Sequence, residues 1–412
     1  MRALFVVRHH NDFDSIAPVI DGWVHRSACN TALIYFASPA VKWRGDYRTK
    51  MLQETGKVAF TDVWQIAGTT SGNAIARFWA RDAVDEHLQR KLLQIATEAC
   101  VTPGFSAKML QMLDDFDPHI VAFDWYNVPA RRKFLGAFGY QECLAWVRSH
   151  RRPLVSLPHG LMLYSQPGSK CRLTTPYDAV FVESDRKKDL LECRARNVIV
   201  TGSARYDPRW VRRVASVLAD GTGLQPGKTR KTRIVFFATK PKQFYKIREL
   251  LTWLRHLAAH PDVDLVIQPH PRGQKEKVFS SIAGMRNVTI DSRSPASRLI
   301  AQADIVSTVV SSVVVEAVVR KRELLFPKFL TDAATQFEEM GACISLPKLE
   351  STYTAVNAFR AGKRVPRENY ESFLDRFVYN NGSRNTVSRL CSHMAQLVDG
   401  ATEVARAENE AA

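Results

Sequence analysis

Short runs of Val, Ile, Leu and Phe alternate with amphipathic stretches along the whole chain, and this alternation confines it to the α/β class. The runs "ALFVVR" (3–8), "TALIYFA" (31–37), "HIVAFD" (119–124), "PLVSLP" (153–158), "AVFVES" (179–184) and "VIVTG" (198–202) are continuous rather than alternating. So are "RIVFFAT" (233–239), "VDLVIQP" (263–269), "VTID" (288–291), "DIVSTV" (304–309) and "LLFP" (324–327). Continuous apolar runs suit strands buried on both faces of a parallel sheet. Parallel strands need crossovers, and the stretches 85–99, 106–115, 131–149, 243–259, 295–302 and 312–320 fit helices of that kind.

A polar break at 205–232, containing "RYDPRW" and "ADGTGLQPGKTRKTR", separates two sets of β/α units. The expected architecture is two doubly wound, Rossmann-like α/β domains facing a cleft. Residues 1–205 form an acceptor-side domain, 206–395 a nucleotide-donor-binding domain with terminal helices, and 396–412 a tail. At 412 residues each domain is long enough for its own core.

Composition narrows the class further. With 45% hydrophobic and 24% charged residues the chain reads as soluble and globular. No apolar run approaches the roughly 20 residues of a membrane helix. The opening "MRALFVVRHHNDFD" reads as a first buried strand rather than an export signal, so a cytoplasmic location is expected. Seven scattered cysteines without a CxxC pair argue for reduced thiols, against a zinc site and against a disulfide framework. The net charge of +17 predicts an anionic partner: nucleic acid, an anionic membrane face or a phosphorylated substrate. It recurs in clusters such as "RSHRR" (148–152), "SDRKKD" (184–189), "GKTRKTR" (227–233) and "VRKRE" (319–323), each between apolar segments. That places the charge on folded surface rather than on a disordered arm.

Ligands of open α/β sheets gather beyond the carboxyl ends of the strands. "VIQPHPRG" sets His270 there between two prolines, with Arg272 beside it, where imidazole and guanidinium can meet phosphate oxygens. "STVVSSVVVEA" follows a strand with Ser311 and Ser312 at a helix start, where free amides and hydroxyls can seat an anion. Glu316, about one turn later, could accept from a ribose hydroxyl, although serine and glutamate also form an ordinary capping arrangement. In "FFATKPKQ", Thr239 and Lys240 could contribute to the same phosphate. In the first half, "VSLPHGLM" places His159 before Gly160 as a candidate general base. "VVRHHNDFDS" adds His9, His10, Asp12 and Asp14, with Asp14 or Ser15 as the expected cap of the next helix, and "FDWYN" adds Asp124. No P-loop, GxGxxG or GxSxG motif is present, and "HLAAH" lacks the glutamate of a zinc protease.

The succession "LPHG", "AVFVESDRKKDLL", "VIVTGSARYD", "LVIQPHPRG" and "ADIVSTVVSSVVVEAV" resembles the two-domain GT-B transferases of bacterial surface-polymer synthesis. The nearest types are the CDP-glycerol (teichoic-acid) polyol-phosphate transferases and the capsule or O-antigen enzymes that use CMP-Kdo or CMP-sialic acid. The resemblance covers residues 150–330 and extends to the first 150 by topology alone. It implies a metal-independent transferase, without a cofactor, that moves a group from a cytidine-nucleotide donor to a glycan or lipid-linked acceptor. It also implies that His159 is the base or acceptor-site group; the residues themselves leave Asp12, Asp14 and Asp124 as alternatives. His270, Ser311 and Ser312 would then hold the donor phosphate. An anionic inner-membrane surface is a further expected partner; nucleic acid is not. "LPHG" departs from the usual teichoic-acid "WHG", and "SSVVVEA" from the glycine pair of the non-hydrolysing UDP-N-acetylglucosamine 2-epimerases, which share the architecture. Such an epimerase is the first alternative, and a basic nucleic-acid-binding or scaffold protein the second.

Overall fold

The computed structural model describes residues 1–8, 12–37, 45–68, 104–124, 138–158, 160–161, 163, 171–192, 197–218, 231–239, 246–270 and 276–411. The candidates His9, His10, His159, Lys240 and Arg272 and the expected helix 85–99 lie outside the described residues. The chain forms two compact units. The first comprises Met1–Gly160, Ser169–Asp207 and Asn385–Ala412, and the second comprises Leu161–Gly168 and Pro208–Arg384.

The first unit opens with β1 (Arg2–Val7), α1 (Phe13–Arg26), β2 (Thr31–Phe36), α2 (Tyr47–Gln53) and β3 (Val58–Asp62). It continues through β4 (Ile120–Phe123), α3 (Tyr140–Ser149), β5 (Leu154–Ser156), β6 (Ala179–Val182) and β7 (Asn197–Val200). Its seven strands stand in the order β3-β2-β1-β4-β5-β6-β7. Every pairing is parallel. The second unit carries β8 (Thr232–Phe237), α4 (Ile247–Ala259), β9 (Val263–Gln268), β10 (Val288–Ile290), β11 (Ile305–Thr308), α5 (Val313–Val319), β12 (Glu323–Phe326) and β13 (Ile344–Ser345). Its six strands stand in the order β10-β9-β8-β11-β12-β13, again all parallel.

Both sheets are therefore doubly wound. In each, the chain starts on a central strand, moves outward to one edge, then returns to the other side of its starting strand. The reversal falls between β1 and β4 in one unit and between β8 and β11 in the other. The continuous apolar sequences follow from burial on both faces: β4 and β11 are buried at every residue. Helices supply the covering layers. In α4, Leu250, Trp253, Leu254 and Leu257 recur at helical spacing and are all fully buried, and Trp253 sits edge-on to Phe236 of β8 at 5.5 Å.

Two expectations change. The C-terminal stretch is a continuous helix, α6 (Thr386–Ala411), rather than helices followed by a tail from 396. It also belongs to the first unit, not to the second domain in which its first residues were expected. Arg389 Nη2 donates to the Thr201 carbonyl at 2.6 Å, and the Val387 amide donates to Asp207 Oδ2 at 3.1 Å. Gly22 of α1 faces the same helix: a Cβ there would lie 2.1 Å from Val387 Cγ1 and 3.3 Å from Cys391 Sγ. Because a β-branched valine cannot swing aside at χ1, Gly22→Leu should cost about 2 kcal/mol or more through overpacking. Thermal denaturation of the variant against wild type checks this, and an unchanged midpoint would show that α1 and α6 are not closely packed.

Candidate functional site

Each unit places unusual polar residues where its strand order reverses, the position at which open α/β sheets take ligands. In the first unit Arg8 follows β1 and Asp124 follows β4. The Asp124 amide extends the ladder by donating to the Val6 carbonyl at 3.2 Å, so the residue is fixed by the sheet itself. Its side chain is 1% exposed. Oδ2 accepts the Arg8 amide at 2.7 Å, and Oδ1 accepts the Tyr140 hydroxyl, also at 2.7 Å. Tyr140 begins α3, and its ring packs edge-on to Phe123 at 4.7 Å. Asp12, 7% exposed, lies near, with its Oδ2 3.9 Å from Arg8 Nε.

Burial and the neighbouring Asp12 carboxyl push the Asp124 pKa up to about 7, against the Tyr140 hydroxyl, the Arg8 amide and the Arg8 charge. Tyr140 is pushed up in turn, by burial and then by Asp124, and stays a neutral donor. A rigidly held carboxyl that exchanges its proton near neutrality can serve as acid or base. Two strands along the same edge, Glu183 follows β6 and is 1% exposed.

Asp14 has a different setting. The helix α1 starts at Phe13, so the N-cap is Asp12 rather than Asp14 or Ser15, and its side chain makes no capping hydrogen bond. The reason is the Phe13 ring, which is fully buried 5.6 Å from Phe36 and 6.5 Å from Phe60 and draws the first turn down onto the sheet. Asp14 instead pairs with Arg48 through Oδ1 and lies 3.4 Å from Arg205 Nη2 through Oδ2. Arg48 is also bound by Asp46, with Nε 2.8 Å from Oδ1 and Nη2 2.6 Å from Oδ2. Burial alone would lower the Arg48 pKa; Asp14 and Asp46 more than reverse that and keep it charged. These contacts join α1, α2 and the turn at 204–206, which is a structural role for Asp14.

In the second unit, β8, β9 and β11 end in register: Phe237 pairs with Gln268 on one side and with Thr308 on the other. Thr239, His270 and Ser311–Ser312 follow those three strand ends by two to four residues. Thr239 is buried, and His270, Ser311 and Ser312 are half-buried. The hydroxyls just before them are spent within the sheet. Ser307 Oγ donates to the Leu325 carbonyl at 2.7 Å, and Thr308 Oγ1 to the Phe237 carbonyl at 2.8 Å. Ser312 is the N-cap of α5 and makes no capping bond; Ser311 Oγ accepts the Val313 amide at 3.3 Å. Glu316 Oε1 accepts from Arg320 Nε at 2.9 Å, and both side chains are 9% exposed. Arg320, one helical turn after Glu316, is the i,i+4 partner that the sequence itself displays. Tyr140 carried no such signal, since packing alone brings it to Asp124. Among the described residues, no group of three His, Cys, Asp or Glu side chains could hold a metal, and no helix is long and apolar enough to cross a membrane.

Solved structures align with nearly the whole chain. UDP-GlcNAc 2-epimerase from Methanocaldococcus jannaschii superposes with a TM-score of 0.57 at 10% identity, over 96% of this chain and 100% of that one. The two-unit strand order and this whole-length match decide the fold. The chain has a GT-B-like fold. The Neisseria meningitidis UDP-GlcNAc 2-epimerase, solved with UDP-GlcNAc bound, gives 0.54 at 13% identity over 96% and 100% of the two chains. The glycotransferase of kitacinnamycin gives 0.54 at 12% identity over 96% and 98%. No protein-family model matches the chain, and no curated protein matches it. The likeness is therefore one of GT-B-like fold, shared with both epimerases and glycosyltransferases.

Proposed function

We propose that the protein is a nucleotide-sugar-dependent transferase. It moves a sugar, or a polyol phosphate, from a nucleotide-activated donor to a glycan or lipid-linked acceptor of the capsule, O-antigen or teichoic-acid type. The observation that carries this is Asp124, a buried carboxyl at the first unit's strand reversal that holds its proton to about pH 7. Ionised, it takes the proton of an acceptor hydroxyl as that oxygen attacks the donor's anomeric carbon, or the donor phosphorus when a polyol phosphate is moved, and the nucleotide leaves. The Arg8 amide and Tyr140 hydroxyl keep it aimed. The second unit holds the donor phosphate through Thr239, His270, Ser311 and Ser312, with Lys240 and Arg272 adding charge, while Glu316 is engaged by Arg320. These groups stabilise charge on the departing nucleotide as preorganised donors do elsewhere. His159 and Asp12 complete the acid–base set. The motif resemblance favours a cytidine nucleotide such as CMP-Kdo or CDP-glycerol, and the +17 charge suits a phosphate-bearing acceptor or an anionic membrane face.

A thermal-shift panel of CMP, CDP, UDP and GDP tests the donor half. One nucleotide at saturating concentration should stabilise the protein by roughly 2–3 kcal/mol. His270→Ala and Ser311→Ala should each lose most of that shift. Failure of all four nucleotides to stabilise the wild type would sink the donor site. The UDP-GlcNAc bound in the Neisseria meningitidis structure, on the same fold, favours a second reading as a UDP-sugar epimerase. Incubation with UDP-GlcNAc alone separates the two, since an epimerase needs no acceptor to convert it.

A further inference from the structure

The opposite edge of the first sheet holds a cavity of about 860 Å³ that the proposed chemistry does not use. Its lining includes His119, Pro153 and Asp178, the residues just before β4, β5 and β6, so it opens at the amino ends of the strands. One wall is basic: Arg148, Arg151 and Arg152, with His119 and His150. The other is the last helix, α6, which contributes Leu397, Val398 and Ala401. Among the described lining residues the acid is Asp178, and its Oδ2 is engaged by the Leu154 amide at 2.9 Å.

Arginine near the carboxyl end of a helix is common, because the helix dipole favours a cation there, and that accounts for Arg148 in the last turn of α3. It does not account for Arg151 and Arg152, which lie beyond the helix. Arg152 donates from Nη2 to Asp117 Oδ1 at 2.9 Å, and Asp117 also pairs with Arg2. Arg148 has no ion-pair partner among the described residues. His119 Nδ1 accepts the Arg2 amide at 3.2 Å, which leaves the ring proton on Nε2 as a donor. Its pKa is lowered by burial, then by Arg2, Arg152 and the terminal ammonium, against Asp117.

We propose that this cavity is a second ligand site, for a phosphate group carried on an apolar moiety. The phosphate would be met by Arg148, Arg151, Arg152 and His119 Nε2, and the apolar part would lie along Leu397, Val398 and Ala401 of α6. The volume lies within the ~300–1,000 Å³ usual for small-molecule sites. The phosphate is either that of a soluble monoester or that of a lipid headgroup.

Calorimetric titration of the full chain in a His270→Ala background, which weakens the donor site, tests this independently of the proposed function. The probes are inorganic phosphate, octyl phosphate, and vesicles of phosphatidylcholine with and without phosphatidic acid. Octyl phosphate should bind about tenfold or more tightly than inorganic phosphate, because its chain is buried as well. The double variant Arg148→Glu/Arg151→Glu changes exposed residues and should weaken binding by at least about tenfold. Ala401→Glu, on the facing wall, should do the same. Loss of octyl phosphate binding in both variants identifies a soluble monoester as sufficient. Binding only to vesicles containing phosphatidic acid, lost in the same variants, assigns the headgroup source. No binding of any probe, or binding that neither variant alters, overturns the proposal.

Discussion

Asp124→Asn should remove catalysis while making the protein more stable at alkaline pH. In the native chain burial and Asp12 hold the Asp124 carboxyl near pH 7, whereas in the unfolded chain it ionises near its ordinary 3.8. Between those values the native state binds a proton that the unfolded state has released, so stability falls as pH rises through this window. Above pH 7 the ionised native carboxylate carries the full penalty, roughly 2–4 kcal/mol as an order of magnitude. Asparagine has no such charge and keeps the geometry: its carbonyl can accept the Arg8 amide, and its amide can donate to the Tyr140 oxygen, as a protonated aspartate would. The variant should therefore melt several degrees above wild type at pH 8, and the advantage should vanish near pH 4. With the donor selected by the nucleotide panel, turnover should fall by about 10²–10⁴. In wild type, kcat/KM should rise with pH through an apparent pKa near 7, and the variant should lack that limb. A variant that is more stable yet turns over within about tenfold of wild type would remove Asp124 from the acid–base role.

The fold was legible because its strands are buried on both faces. Runs such as "HIVAFD" and "DIVSTV" have no polar interruption, and β4 and β11 are fully buried. Strand β3 escaped because it is only partly buried, so "VAFTD" carries little periodic signal. The membership of α6 escaped for another reason. Its sequence shows a helix, but Gly22, Thr201 and Asp207, which anchor it, lie far earlier in the chain. The same distinction governs the sites. The placement of Thr239, His270, Ser311 and Ser312 just past strand ends was legible, because strand ends are a local feature. Asp124 shared that feature, yet its environment did not show: the residues that raise and orient it are Asp12, Arg8 and Tyr140, brought together by the strand order and by α3. The basic cavity was half visible, as "RSHRR", while its apolar wall comes from a helix some 250 residues later.

Arg48→Met should be the most destabilising of the single substitutions considered, through a residue that no sequence motif marks. Its guanidinium is 7% exposed, lies 5.3 Å from the Phe13 ring centroid and 5.5 Å from that of Tyr47, and bonds Asp46, itself 8% exposed. Removing the cation strips the buried Asp46 carboxylate of its two charge-assisted bonds to the guanidinium, and removes the Arg48–Asp14 pair that ties α2 to α1. Breaking a buried pair from one side costs about 3–5 kcal/mol, so the melting transition should fall by roughly 10 °C. Arg48→Lys should recover only part of this, because an ammonium cannot reproduce the two-pronged contact with Asp46 while also reaching Asp14. Asp14→Asn gives the contrast. Asp14 is 34% exposed and Arg48 keeps Asp46 without it, so the loss should stay within about 1 kcal/mol and turnover should be retained. If Asp14→Asn instead abolished turnover in a stably folded chain, Asp14 would belong with Asp124 in the chemistry, and the ion pair with Arg48 would be its support.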